Sequence, residues 1–238
     1  MKAIVESMYP YLLQKYLDDN YLKSRVILAS TIDVVDQINQ DVLKLILGDE
    51  KKYLSYDKVD VDHNCVVPTT ILSTEFLNTL GTSGLPNHKI LLKVGVPIMF
   101  LGNINPAERL CNGTRLIIRR LADHVIEGKC ISGSNVGSKV YIARMFLSPS
   151  QSPWPFRLIR RQFPIVVFYI MTINKSPGQS LANVELYLPK PIFSHGQLYV
   201  ALSRVQRKEG LKILIHNKQA QSLKSTTILV YKEIFQNI

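Results

Sequence analysis

Residues Ile165–Met171 read Ile-Val-Val-Phe-Tyr-Ile-Met, and the chain continues as Thr172-Ile-Asn-Lys-Ser-Pro-Gly-Gln-Ser180. Seven consecutive apolar residues predict a strand that is buried on both faces, as the strands of parallel sheets are. The segment that follows is polar, and in open α/β sheets ligands bind at the carboxyl ends of the strands. Its hydroxyl, amide and ammonium groups suit phosphates. From the residues alone, an ordinary polar turn is almost as good an interpretation.

Further strand and helix patterns surround this stretch and define an α/β layer. Arg25–Ala29 predicts a buried strand, and Thr31 can cap an amphipathic helix that Gly48 ends. Lys51–Asn64 is polar and predicts a loop, and Pro68–Leu80 allows one short helix. Beyond residue 162 the pattern predicts four more elements, which are the strand Val184–Leu188, the helix Ser194–Val205, the strand Leu211–Ile215 and the helix Thr226–Phe235.

Between residues 89 and 161 the sequence changes to short β-rich runs that are separated by turn residues. Five such runs predict a small β-barrel inserted into the α/β layer. They are Ile90–Val94, Pro97–Leu101, Thr114–Leu121, His124–Ile131 and Lys139–Ala143. We therefore predict that residues 1–88 and 162–238 form one α/β domain and that residues 89–161 form the inserted barrel.

Charge is unevenly distributed along the 238 residues, whose net charge is +11. Residues 1–64 contain 8 Lys and Arg against 11 Asp and Glu, a net charge of −3, while residues 65–238 contain 21 against 7, a net charge of +14. A basic surplus in one part of a chain indicates a polyanionic partner such as nucleic acid, although a generally basic solvated surface is the simpler alternative. The apolar runs are too short to span a membrane, and three widely spaced cysteines indicate neither a disulfide framework nor a zinc site.

The predicted helix Ser194–Val205 offers a second group of candidate residues. Leu198, Ala201, Leu202 and Val205 follow helical spacing and are expected to face the core. Gln197 and Arg204 lie seven residues apart, which is nearly two turns, and so share another face. An arginine there can hold a phosphate with its planar fork of donors, and an exposed ion pair is the alternative.

Two segments together resemble a known family. Met171-Thr-Ile-Asn-Lys-Ser-x-Gly-Gln-Ser180 and His195-Gly-Gln-Leu-Tyr-Val-Ala-Leu-Ser-Arg204 closely resemble motifs V and VI of superfamily-one DNA helicases. The branch of this superfamily that they resemble is the petite-integration-frequency type, which is RecD-like. Their sequence is most similar to that of its Helitron-transposon members. Leu92–Met99 and Leu110–Leu116 look like that branch's inserted Src-homology-3-like barrel. The resemblance covers roughly residues 25–235 and implies a second RecA-like domain, a parallel sheet with flanking helices.

The resemblance also implies a role for particular residues. Arg204 matches the arginine finger that reaches the γ-phosphate of ATP, where a fixed cation stabilises transition-state charge. By the same resemblance, the nucleotide lies near Gly178, Gln179, Gln197 and Tyr199. Single-stranded DNA lies near Thr172, Asn174, Lys175 and Ser176. The complete enzyme is implied to use ATP and Mg²⁺ and to move 5′ to 3′ along single-stranded DNA, and the expected location is the nucleus.

Three departures from the family pattern stand out. Asn174 occupies a position that often holds His, and Pro177 replaces the usual Gln, which removes one N–H and fixes φ. Ala29-Ser-Thr-Ile32 replaces the Ala-Pro-Thr-Asn that commonly follows the first strand. Leu45-Ile-Leu-Gly-Asp-Glu50 resembles a strand that ends in a magnesium site, but its apolar residues continue the preceding helix, and we assign it no metal.

The 238 residues contain no G-x-x-x-x-G-K-[ST] phosphate-binding loop. We therefore expect the first RecA-like motor domain to be supplied upstream or by another chain. We also expect this chain alone to hold no nucleotide or metal and to be inactive as an ATPase. The alternative is a non-catalytic module that binds single-stranded nucleic acid, or a transposon remnant.

Overall fold

The computed structural model describes residues 2–60, 72–102, 110–133, 135–176, 180–190, 194–216, 222–223 and 225–226. Contacts divide the chain into two compact units: Met1–Ile46 with Phe168–Ile238, and Leu47–Val167. The unit boundaries thus fall at residues 46 and 167, whereas the sequence placed them at 88 and 161. The first boundary differs because two strands between residues 51 and 59 pair inside the second unit, and the second differs because residues 165–167 pair with residues 98–100 there.

The first unit contains a mostly parallel sheet with helices. Its helices are α1 (Lys2–Met8), α2 (Leu12–Lys15), α3 (Asp19–Lys23), α4 (Ile32–Leu45) and α6 (Gln197–Leu202). Its strands are β1 (Arg25–Ala29), β12 (Ile170–Thr172), β13 (Asn183–Leu188), β14 (Leu211–His216) and β15 (Ser222–Leu223), and their order in the sheet is β12-β1-β13-β14-β15. All neighbouring pairs are parallel except β14 with β15.

The burial of β1 agrees with its central position in this sheet. Val26, Ile27, Leu28 and Ala29 of β1 are all fully buried, so both faces of the strand are covered, as is typical of a central parallel strand. The predicted strand is confirmed. α4 packs on β1 and β12 through a buried stripe of Val35, Ile38, Asn39, Val42 and Leu43. Thr31 is at the N-cap in extended conformation, but its side chain makes no capping hydrogen bond.

The second unit is built from antiparallel sheets and one described helix, α5 (Thr74–Thr79). Its strands are β2 (Lys51–Leu54), β3 (Tyr56–Val59), β4 (Lys89–Leu92), β5 (Pro97–Phe100), β6 (Arg115–Leu121), β7 (Val125–Cys130), β8 (Lys139–Ala143), β9 (Met145–Leu147), β10 (Leu158–Gln162) and β11 (Ile165–Val167). They form three sheets, with the orders β11-β5-β6-β7-β8, β3-β10-β9 and β2-β4. The five predicted β runs are all strands, but the first of them, β4, pairs with β2 rather than with the other four.

The loop prediction for Lys51–Asn64 is wrong over residues 51–59, which form β2 and β3. Only Tyr53 and Asp57 of these strands are buried, and their neighbours are exposed or half-buried. The strands therefore carry mostly polar side chains and lack the apolar alternation that identifies a strand in sequence.

The single strand predicted for Ile165–Met171 is also wrong. Residues 165–167 form β11, antiparallel to β5 in the second unit, and residues 170–172 form β12, parallel to β1 in the first unit. Phe168 and Tyr169 between them are buried. A continuous apolar run records burial along its whole length but not which strand each half pairs with.

One further helix prediction differs from the structure in extent, and another falls almost wholly outside the described residues. The helix predicted for Ser194–Val205 is the shorter α6, and the part of Thr226–Phe235 beyond residue 226 lies outside the described residues. Among the described residues, none of the helices combines the length and the apolar character that crossing a bilayer requires.

Candidate functional site

The polar segment after β12 begins as a tight turn. Ile173–Lys175 form one 3₁₀ turn, and the N–H of Ser176 donates to the carbonyl of Ile173 at 3.0 Å. The Ser176 hydroxyl donates to the same carbonyl at 2.6 Å and is buried. This side chain therefore stabilises the turn and leaves contact with a ligand to its neighbours.

The neighbours of Ser176 present a half-buried ammonium and an exposed amide. Burial lowers the pKa of Lys175, and the Asp36 carboxylate on α4 opposes that shift. The Asn174 side chain is exposed, and its Oδ1 accepts a hydrogen bond from Nε2 of Gln197 at 3.3 Å. Thr172 at the end of β12 is half-buried. The turn thus presents donors at the carboxyl end of an edge strand of the parallel sheet.

Helix α6 lies against this turn and supplies the second group of candidate residues. The helix begins after Gly196, whose φ of 72° lies in the left-handed region that glycine adopts without strain. Gln197 and Ala201 are its buried residues, whereas Leu198 and Leu202, which we expected in the core, are half-buried. The buried Gln197 donates from Nε2 to Asn174, and its Oε1 is buried without a hydrogen-bond partner.

Arg204 lies just beyond α6 and joins the helix to the turn. Its guanidinium donates to the Val200 carbonyl at 3.0 Å, to the Ser203 hydroxyl at 2.8 Å and to the Ser176 carbonyl at 3.4 Å. A backbone hydrogen bond also joins the two segments, since the N–H of Leu181 donates to the carbonyl of Arg204 at 2.9 Å. The structure therefore brings the two predicted segments into one site, 28 residues apart in sequence.

The remaining candidates occupy different surroundings. Tyr199 is 76% exposed on the outer side of α6 and can contact a ligand only from solvent. Gly178 and Gln179, together with Pro177, lie outside the described residues. Among the described residues, no cluster of three or more His, Cys, Asp or Glu side chains is placed to hold a metal ion.

Sequence reasoning missed Asn39, which positions the start of β12. Its Nδ2 donates to the carbonyl of Ile170 at 3.1 Å, and its Oδ1 accepts from the N–H groups of Tyr169 and Ile170 at 3.1 and 3.2 Å. The signal was its place in the apolar stripe of α4, four residues after Val35 and three before Val42. A polar residue at a core position needs a buried partner.

Comparisons with a family model, with sequence relatives and with solved structures all lead to the same group of proteins. Residues 75–121, which lie in the second unit, match the family model of the DNA helicase Pif1 2B domain. The chain is 27% identical over 186 residues to the ATP-dependent DNA helicase Pif1 of Bdellovibrio bacteriovorus, covering 77% of this chain and 41% of the relative. It is 27% identical over 202 residues to the ATP-dependent DNA helicase PIF1 of Xenopus laevis, covering 82% and 28%. The chain thus spans less than half the length of these relatives.

Solved structures share the fold. The Pif1 helicase from Bacteroides, in complex with ADP-AlF3 and single-stranded DNA, matches with a TM-score of 0.64 and 22% identity, covering 95% of this chain and 48% of that one. The Pif1 helicase from Candida albicans matches with a TM-score of 0.62 and 24% identity, covering 90% and 50%. The chain is thus similar in sequence to the Pif1 helicases over most of its length, and it shares their fold.

Proposed function

We propose that this chain is the second motor portion of an ATP-dependent DNA helicase that moves 5′ to 3′ on single-stranded DNA. The first unit is the second RecA-like domain, and the second unit is an insertion of the Src-homology-3-like kind. One observation carries the proposal: Arg204 contacts the turn at Ser176, while Gln197 of helix α6, which ends two residues before Arg204, contacts Asn174. A nucleotide site and a DNA site that must respond to each other require such a direct connection.

In this arrangement each residue has a separate task. The Arg204 guanidinium donates to oxygen atoms of Val200, Ser203 and Ser176, so it presents its charge in a fixed orientation and can stabilise a phosphoryl group. By the family resemblance, Gly178, Gln179, Gln197 and Tyr199 would line the nucleotide side. Thr172, Asn174 and Lys175 would contact the DNA backbone, with Ser176 holding the turn in shape.

ATP and Mg²⁺ would be held mainly by the other motor domain, which we propose is supplied upstream or in trans. Arg204 fits a polyphosphate because it is a cation with a rigid fork of donors. By the family resemblance, the protein would act in the nucleus in DNA repair or recombination, and its kinship would lie with the Helitron-transposon helicases.

The test is ATP hydrolysis by the 238-residue chain, alone and mixed with a phosphate-binding motor domain from a Pif1 relative, with single-stranded DNA present. We expect background turnover for the chain alone and DNA-stimulated turnover for the mixture. In the mixture, Arg204→Ala should reduce the rate about a thousandfold, and Arg204→Lys should restore little because lysine is a point charge.

The matched control is Arg207→Ala, an exposed arginine three residues further along the chain. It should leave the rate unchanged. Turnover by the mixture that is insensitive to Arg204→Ala would remove this arginine from the mechanism. DNA binding with no turnover in any mixture would favour the alternative, a non-catalytic module for single-stranded nucleic acid.

A further inference from the structure

The three-stranded sheet of the second unit has an outward face with an uncommon composition. Tyr56 of β3, Arg161 of β10 and Phe146 of β9 are direct cross-strand neighbours and form one row. Lys58 and Ile159 form the next row. We call these five residues the outer sheet face. Because β3, β10 and β9 are three different strands, the row exists only in the folded chain.

Two large aromatic side chains on this face point into solvent. Tyr56 and Phe146 are each 62% exposed. The outward positions of a half-buried antiparallel sheet usually carry polar side chains. Neighbouring strands lie about 4.8 Å apart, so the two aromatic residues are about 10 Å apart with Arg161 between them. Single exposed aromatics are common, but an aromatic–arginine–aromatic row is a specific pattern.

Positive charge flanks the rings. The Arg161 guanidinium carbon is 5.7 Å from the centroid of the Phe146 ring, and Nζ of Lys58 is 5.9 Å from it. Both distances are near the outer limit of a cation–π contact, and Phe146 remains 62% exposed. In the part of the chain that the structure describes, neither cation forms a salt bridge with a carboxylate.

The inner face of the same sheet explains why the outer face keeps its charge and its shape. Asp57 of β3 points inward and is buried, and the buried Arg160 of β10 donates to both of its carboxylate oxygens at 2.6–3.1 Å. Arg160 also donates to the carbonyls of Pro86 and Leu77. The Asp57 charge is therefore neutralised from inside, and the ion pair fixes β3 against β10 so that the outward side chains are held in register.

We propose that the outer sheet face binds single-stranded nucleic acid, with bases stacked on Tyr56 and Phe146 and phosphates bound by Lys58 and Arg161. Alternating rings and cations match the alternating bases and phosphates of an unpaired strand, and each stacked base adds affinity whatever its sequence. A duplex buries the faces of its bases and could not use the rings. The proposed binding surface lies on the second unit. It shares with the proposed function only the class of ligand, which is single-stranded nucleic acid.

The experiment measures binding of the full chain to fluorescently labelled oligothymidylate and oligouridylate of about 15 nucleotides, a length that covers a typical site. Tyr56→Ala with Phe146→Ala should weaken binding about 25-fold or more, at about fivefold for each ring. The ring-conserving pair Tyr56→Phe with Phe146→Tyr should stay within about twofold. Tyr141→Ala is the matched control, because Tyr141 is 65% exposed on β8 of another sheet in the same unit, and it should leave binding unchanged.

The charge contribution is measured separately. Lys58→Gln and Arg161→Gln should each reduce the slope of log K against log salt by about 0.7, the value for one phosphate contact on a single strand. Equal losses for DNA and RNA support stacking on base faces alone. A loss of affinity for only one of the two nucleic acids also supports binding at the outer sheet face. It would show that this face distinguishes ribose from deoxyribose.

Two outcomes would overturn the inference. The first is a double alanine variant that keeps the circular dichroism spectrum and the affinity of the original chain. The second is a duplex that binds as tightly as the single strand and loses the same affinity in that variant. If the variant fails to fold, an oligonucleotide carrying 5-iodouracil is cross-linked to the unmodified chain, and the absence of cross-links at Tyr56 and Phe146 would also overturn it.

A Lys175→Ala variant separates this inference from the proposed function. Lys175 lies in the turn of the first unit, so its loss leaves the outer sheet face intact. Binding that depends on the rings but not on Lys175 would support the outer sheet face and count against the DNA role of the turn. The reverse dependence would reject the outer sheet face and leave the proposed function in place.

Discussion

Glu185 is a carboxyl residue that becomes buried when the chain folds. It lies on β13 in the interior of the parallel sheet, where its register partners are Ile27 and Lys212. Burial raises the pKa of its carboxyl from 4.5 to about 7, while a hydrogen bond with Ser7 and the charge of Lys212 oppose the shift. One of its oxygens, Oε2, is buried without a hydrogen-bond partner.

A raised pKa in the folded state makes the folded chain hold its proton more tightly than the unfolded chain does. The contribution of Glu185 to stability should therefore be fully present below pH 4.5, fall as pH rises from 4.5 to about 7, and stay level above that. We expect Glu185→Gln to abolish this pH-dependent fall in the free energy of unfolding, which should amount to about 2–3 kcal/mol. Denaturant titrations at pH 5 and pH 8 measure it, with the exposed Glu209→Gln as control. Equal pH dependence in the original chain and in Glu185→Gln would contradict the assignment.

At the scale of elements, α4 and β12 are connected by one buried amide. Asn39 satisfies two backbone N–H groups and one carbonyl where the chain enters β12. The candidate site begins two residues further on, so the position of the turn depends on this contact. Tyr9 adds a second contact at the same place, since its hydroxyl donates to the carbonyl of Tyr169 at 2.8 Å.

Replacing Asn39 by alanine should lower the free energy of unfolding by about 2–4 kcal/mol, because three buried backbone groups lose their partner. The neighbouring Gln40 is exposed on the same helix, and Gln40→Ala should change the value by less than about 0.5 kcal/mol. Urea unfolding of both variants makes the comparison. Similar midpoints for the two would show that water or a backbone shift satisfies these groups.

At the scale of the whole molecule, the basic surplus beyond residue 64 should produce salt-dependent binding to polyanions. We expect weak binding to single-stranded DNA, with log K falling against log salt at a slope of about −2 to −3, as 3–4 phosphate contacts predict. Fluorescence anisotropy over a salt series measures the slope. Affinity that is independent of salt would contradict an electrostatic interface.

Local sequence was sufficient to predict three strands of the parallel sheet. β1, β13 and β14 were located within one residue because each is a short, mainly apolar run of strand length. The relationship to the Pif1 helicases also followed from sequence, because the segments around Asn174 and Arg204 carry specific side chains in a specific order. Gln197 was recognised as a candidate for the same reason.

Tertiary structure decided the features that depend on a partner distant in the chain. The run Ile165–Met171 divides between two sheets because its two halves meet β5 and β1, 65 or more residues upstream. The polar strands β2 and β3 are stabilised by contacts with distant parts of the chain. Asp57 of β3 pairs with Arg160, which lies 103 residues further along the chain. Local pattern records how much of a side chain is buried, but pairing depends on which surfaces meet when the chain folds. The contact of Arg204 with Ser176 and the outer sheet face are therefore properties of the folded chain.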